Sequence, residues 1–79
     1  MKQALSLIFP PNLIKEPVIS RLAKKFDVEF NLRRAKVTEK VGEIVLEFEA
    51  DSDALAKAVD WLKGQGVKVE PITHDTVES

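Results

Sequence analysis

The sequence predicts an α+β domain of β-α-β-β-α-β order, folded as one four-stranded antiparallel sheet in the order 4-1-3-2 with two helices on one face. Three observations predict it. Short apolar runs at 3–9, 28–37, 43–50 and 67–73 carry the two-residue alternation of strands, and two amphipathic stretches of helical repeat fall between them. At 79 residues the chain has the size of a single modest core. Right-handed crossovers then put strands one and three at the centre and leave strands two and four as edges.

Each element has a local cause. In the first strand Leu5, Leu7 and Phe9 share one face and Ala4, Ser6 and Ile8 the other, so both faces are largely apolar, as in a central strand. Pro10 and Pro11 end it, because neither has an amide hydrogen for a ladder, and the pair favours an extended or turning chain. The first helix is expected to begin near Pro17, with Val18, Ile19, Leu22, Ala23 and Phe26 as its apolar stripe and Arg21, Lys24 and Lys25 in water. The second strand opens with Val28, Phe30 and Leu32 on one face, yet Ala35 and Val37 have the opposite parity. A β-bulge between Leu32 and Ala35 restores the phase with one extra residue.

Residues 38–42 form the hairpin connection, after which Ile44, Leu46, Phe48 and Ala50 alternate with Glu43, Val45, Glu47 and Glu49. Asp51, Ser52 and Asp53 offer N-cap oxygens and first-turn negative charge to a second helix with core positions Leu55, Ala58, Val59 and Leu62, flanked by Trp61. Gly64 and Gly66 are expected to stop it, with Lys63 at the negative end of the helix dipole. The last strand carries Pro71, which suits a sheet edge. The domain is expected to span 1–73, with 74–79 as a polar tail.

Composition narrows the function. Twelve basic and thirteen acidic residues leave a formal net charge of −1, so nothing draws the chain as a whole to nucleic acid or anionic lipid. The absence of cysteine removes disulfides, thiolate chemistry and cysteine-ligated metals, and fits a cytoplasmic protein. No signal peptide and no membrane-inserting apolar run is present in the sequence.

Catalytic readings fail for want of partners. His74 is the only histidine and sits in the polar tail, where it reads as solvated rather than as a ligand or base. Glu43, Glu47 and Glu49 lack the looped, glycine-turned setting of an oxygen-only cation site and read as a solvated sheet face. Ser6, Ser20 and Ser52 have no triad, and Gly42, Gly64 and Gly66 form neither a phosphate loop nor a dinucleotide fingerprint. The expectation is a non-enzyme without cofactor or catalytic residues. RNA-recognition modules share the layout, but they stack bases on aromatics of the two central strands. Here those positions hold Ala4, Ser6, Ile8 and three glutamates, so nucleic-acid binding is not expected.

The edge strand offers two readings. Its unpaired backbone groups are a template for a second copy, which gives an expected homodimer interface of Phe30, Asn31, Leu32, Arg33 and Arg34. Against this, Arg33, Arg34 and Lys36 can serve as charged gatekeepers that block such pairing. In the paired form Asn31 presents both a donor and an acceptor beside the bulge, a groove suited to a small zwitterion.

The segments LIFPP, EPVISRLAKKFDVEFNLRRAKV, GEIVLEFEAD and ALAKAVDWLKGQGVKVE together resemble a NIL domain, the module found at the C-terminus of methionine-importer ABC ATPases and also in ferredoxin-linked or stand-alone proteins. The resemblance covers nearly the whole chain, which is expected to be a stand-alone form unable to hydrolyse ATP for want of a phosphate loop. The family's Asn-Ile-Leu triplet falls on Asn31, Leu32 and Arg33, with a charge at the third position. The resemblance implies a ferredoxin-like fold, dimerisation, and a regulatory site for methionine or a related sulfur-containing amino acid. It implies ligand contacts at Asn31 and Ile44, with Leu32 and Leu46 as neighbours. The function expected is a small-molecule sensing module linked to transport or sulfur amino-acid metabolism. The alternative is an interaction adaptor that docks on a partner enzyme or transporter without ligand.

Overall fold

The computed structural model describes residues 1–72. The elements run β1 (Lys2–Phe9), α1 (Pro11–Ile14), α2 (Val18–Lys25), β2 (Glu29–Val37), β3 (Gly42–Glu49), α3 (Ser52–Gln65) and β4 (Lys68–Ile72). The strands form one antiparallel sheet in the order β2-β3-β1-β4, which is the predicted 4-1-3-2 read from the other edge. Thr73 and the tail with His74 lie outside the described residues.

Alternation in the strands decides where the core sits. Leu5, Leu7 and Phe9 of β1 and Leu46 and Phe48 of β3 join Val18 and Leu22 of α2, Leu55, Ala58 and Leu62 of α3, and Val67 in one buried cluster. These strand residues share a single sheet face, so α2 and α3 both cover that face. Phe48 is fully buried and meets Phe30 of β2 at 5.4 Å between ring centroids, while Phe26 and Trp61 pack edge to face at 5.9 Å beside the helices. The opposite face is open. There Glu43, Glu47 and Glu49 flank Val45, and the hydroxyl of Ser6 donates to Glu43 Oε2 at 3.1 Å.

The helix ends follow their sequences closely. Asp51 caps α3 by accepting from the Ala54 amide at 2.9 Å. Past its C-terminus the Gly66 amide donates to the Lys63 carbonyl and the Val67 amide to the Leu62 carbonyl, a Schellman closure that needs the left-handed φ of 103° at Gly66. The β2–β3 connection is tied by Thr38, whose amide donates to the Val41 carbonyl at 2.8 Å and whose hydroxyl accepts from the amides of Lys40 and Val41.

Three expectations are corrected. The chain after Pro10 is not merely extended or turning: Pro11 opens the short helix α1, where its missing amide hydrogen costs nothing at a first helical position. Ala23 is exposed and not part of the α2 core stripe, because the eight-residue helix buries only Val18 and Leu22. Gly64 lies inside α3, and the stop belongs to Gly66 alone.

The two glycines give a paired prediction. A Cβ at Gly64 would meet nothing within 4 Å, so Gly64→Ala should stabilise by about 0.5–1 kcal/mol through helix propensity. Gly66→Ala should destabilise by about 1 kcal/mol or more, because its φ is positive and its Cβ would stand 3.4 Å from Leu13 Cδ1. Urea unfolding of the two variants checks both signs.

Candidate functional site along the edge strand

Among the described residues, β2 is hydrogen-bonded to β3 on one side and has no strand on the other. Before the bulge Phe30 and Leu32 oppose Phe48 and Leu46 on the helix side, while Glu29 and Asn31 oppose Glu49 and Glu47 on the open face. The register then slips between Leu32 and Arg34, with Arg33 as the inserted residue. After it Ala35 and Val37 oppose Ile44 and Gly42 on the helix side, and Arg34 and Lys36 oppose Val45 and Glu43 on the open face. The phase break read in the sequence is therefore a bulge, as expected, and it keeps every apolar residue of β2 on the helix side.

That side is only partly covered. Leu32 is 62% exposed although its cross-strand partner Leu46 is 3% exposed, and Val37 is 58% exposed. A solvent-facing apolar row thus runs along the outer edge on the side where the helices lie. On the open face Arg33 reaches Glu47 at 3.7 Å, an ion pair shared with water and worth about 0–1 kcal/mol.

Two hollows flank the strand. One, about 230 Å³, lies under α1 and the start of α2 and is walled mainly by Phe9, Leu13, Ile14, Ile19, Val37 and Ile44. The other, about 460 Å³, is polar and gathers Asn31 with Lys2, Glu29, Glu47, Glu49 and Phe30. The ligand residues expected from the sequence are therefore distributed: Asn31 lines the polar hollow, Ile44 the apolar one, Leu46 is in the core and Leu32 is exposed between them. Within one copy they do not meet in a common cavity. The residues expected at an interface, Phe30, Asn31, Leu32, Arg33 and Arg34, lie consecutively on the edge strand β2.

Sequence reasoning missed the apolar hollow because it missed α1. The available signal was a proline at a first helical position followed at once by Leu13 and Ile14. Among the described residues no group of three or more acidic or histidine side chains is placed to hold a metal ion, and Glu43, Glu47 and Glu49 stay spread along β3.

Comparison with known proteins decides the family. The model of the NIL domain matches residues 3–71. This chain belongs to the NIL domain family. Its relatives include the methionine import ATP-binding protein MetN of Helicobacter hepaticus, 38% identical over 60 residues that make up 71% of this chain and 17% of that protein. The MetN of Haemophilus ducreyi is 30% identical over 77 residues, 92% of this chain and 22% of that protein. This NIL domain thus spans about a fifth of the length of the curated relatives it matches. The crystal structure of the C-terminal domain of an ABC transporter ATP-binding protein from Enterococcus faecalis shares the fold, with a TM-score of 0.77 at 18% identity over 92% of this chain and 86% of that one. Among the described residues no helix is long and apolar enough to cross a membrane. Arg33, expected from the resemblance to stand at the third position of the family's triplet, is the residue the bulge inserts.

The contrast between the paired leucines is measurable. Leu46→Ala should cost about 2–5 kcal/mol as a core truncation, whereas Leu32→Ala should stay within about 0.5 kcal/mol at concentrations low enough to keep the protein monomeric. Denaturant midpoints of the two variants test whether the helix side of β2 is open in solution.

Proposed function

We propose that this NIL domain is a non-enzymatic, homodimeric sensing module that binds an amino acid, methionine or a related sulfur-containing one, where the edge strands of two copies meet. In this reading binding regulates transport or sulfur amino-acid metabolism in the cytoplasm. The observation that carries it is the free edge of β2, where a carboxamide, Asn31, stands beside an exposed leucine, Leu32, at a bulge. An amide supplies a donor and an acceptor for the polar end of an amino acid, and the apolar row supplies contact for its side chain. Ile44 and Leu46 underlie that row from β3. The relatives are methionine import ATP-binding proteins, which makes methionine the first ligand to test.

A second reading is an adaptor that docks on a partner enzyme or transporter without ligand. It draws on Val37 and Val41, both exposed at the hairpin end beside the apolar hollow. The two readings separate in a calorimetric titration of the purified domain with the twenty amino acids. Binding of one of them supports the sensor, and silence from all of them supports the adaptor. For the sensor, Asn31→Ala should weaken binding by about 1–3 kcal/mol, the cost of losing hydrogen bonds at a desolvated polar contact. Unchanged affinity would move the site away from Asn31.

A further inference from the structure

The bulge in β2 restricts how a second copy can pair with it, and the restriction identifies a cation for the ligand. We infer that Arg34 of a second copy lies directly opposite Asn31 and receives the carboxylate of a bound amino acid; this rests on the dimeric reading above.

In an antiparallel pair, residues directly opposite each other point to the same face. A regular strand that pairs with its own copy about a two-fold axis therefore opposes residues of equal parity. β2 cannot do so across its bulge, because its open-face residues are Glu29 and Asn31 before Arg33 but Arg34 and Lys36 after it. Pairs that span the bulge match faces only when an odd-numbered residue meets an even-numbered one. Two such registers keep the bulges near the axis. One opposes Glu29 to Lys36, Phe30 to Ala35 and Asn31 to Arg34 of the second copy. The other opposes Asn31 to Lys36 and brings Arg33 against Arg34.

Charge selects the first. It sets opposite charges against each other twice, by symmetry, at Glu29 and Lys36, whereas the second crowds guanidinium groups at the axis. Within one copy Glu29 faces Glu49 across β2 and β3, so a lysine arriving on its free side relieves a like-charge pair.

The same register completes a site that one copy lacks. The hollow around Asn31 holds three carboxylates, Glu29, Glu47 and Glu49, and one lysine, Lys2, which already lies 4.0 Å from Glu49. Glu47 is itself met by Arg33 at 3.7 Å, so both cations beside the hollow are already engaged by carboxylates and a ligand carboxylate needs a further one. With the second copy in place, Arg34 of that copy, Asn31 and Glu47 fall in one row across the open face: guanidinium, amide, carboxylate. A zwitterion fits the row with its carboxylate toward the guanidinium, its ammonium toward Glu47, and the amide between them.

The test uses exposed positions, with circular dichroism to confirm that each variant folds. Sedimentation of Glu29→Lys, Lys36→Glu and the double variant should show the dimer dissociation constant rising roughly tenfold in each single variant and returning to near the original value in the double, because the swapped charges meet again. L-methionine should bind the original protein more tightly than L-methioninol, which lacks the carboxylate. Arg34→Gln, compared at a concentration at which sedimentation shows it to be dimeric, should abolish that preference. A protein that sediments as a monomer overturns the dimeric reading itself. A stable dimer without rescue by the double variant overturns the register alone. A dimer that is rescued but binds no methionine overturns the ligand reading and the role of Arg34 with it, and a preference for methionine that survives Arg34→Gln overturns the role of Arg34 alone.

Discussion

The two-residue repeat of a strand is unforgiving, and one inserted residue in β2 reconciles it with the sequence. Without Arg33 as an extra residue, either Phe30 and Leu32 or Ala35 and Val37 would turn to the open face. The pairing Phe30–Phe48 anchors the first half of β2 over the core, and Ala35 opposite Ile44 anchors the second. Both halves of the strand therefore stay registered on β3 while the middle protrudes. The polar set Glu29, Asn31, Arg34 and Lys36 is brought to one face by the same insertion, so the chemistry of the free edge follows from a packing requirement.

Much of the fold was legible because period-two patterns are strict. Leu5, Leu7 and Phe9 admit one assignment, and the change of parity between Leu32 and Ala35 has one economical solution, which the register confirms. Asp51 and Gly66 end α3, within the short runs of cap oxygens and glycines that bracket it in the sequence. Helix α1 escaped because four residues carry no periodicity, and Ala23 was misassigned because a helix of two turns buries a narrower stripe than its apolar residues suggest.

The candidate site was legible in outline. Asn31 and Leu32 were placed beside the bulge on an edge, where they are found. The relation of Asn31 to Ile44 was not readable from adjacency of strands, since the two side chains belong to opposite faces of the sheet and only the residue-by-residue register reveals it. Nor does a sequence state how far a helix layer extends sideways. Leu32 and Leu46 are the same residue type in the same cross-strand pair, and coverage alone separates a surface side chain from a core one.

The two edges of the sheet are unequal. Among the described residues β2 offers nine, whereas β4 offers five and carries Pro71 among exposed Lys68 and Glu70. A short strand with a proline and charges is a poor template for another chain. In the proposed dimer, strand addition through β2 would use the more hospitable described edge of each molecule and leave β4 outward on both sides. Pairing of that kind would stop at two copies, with Pro71 and its charged neighbours opposing open-ended fibre growth.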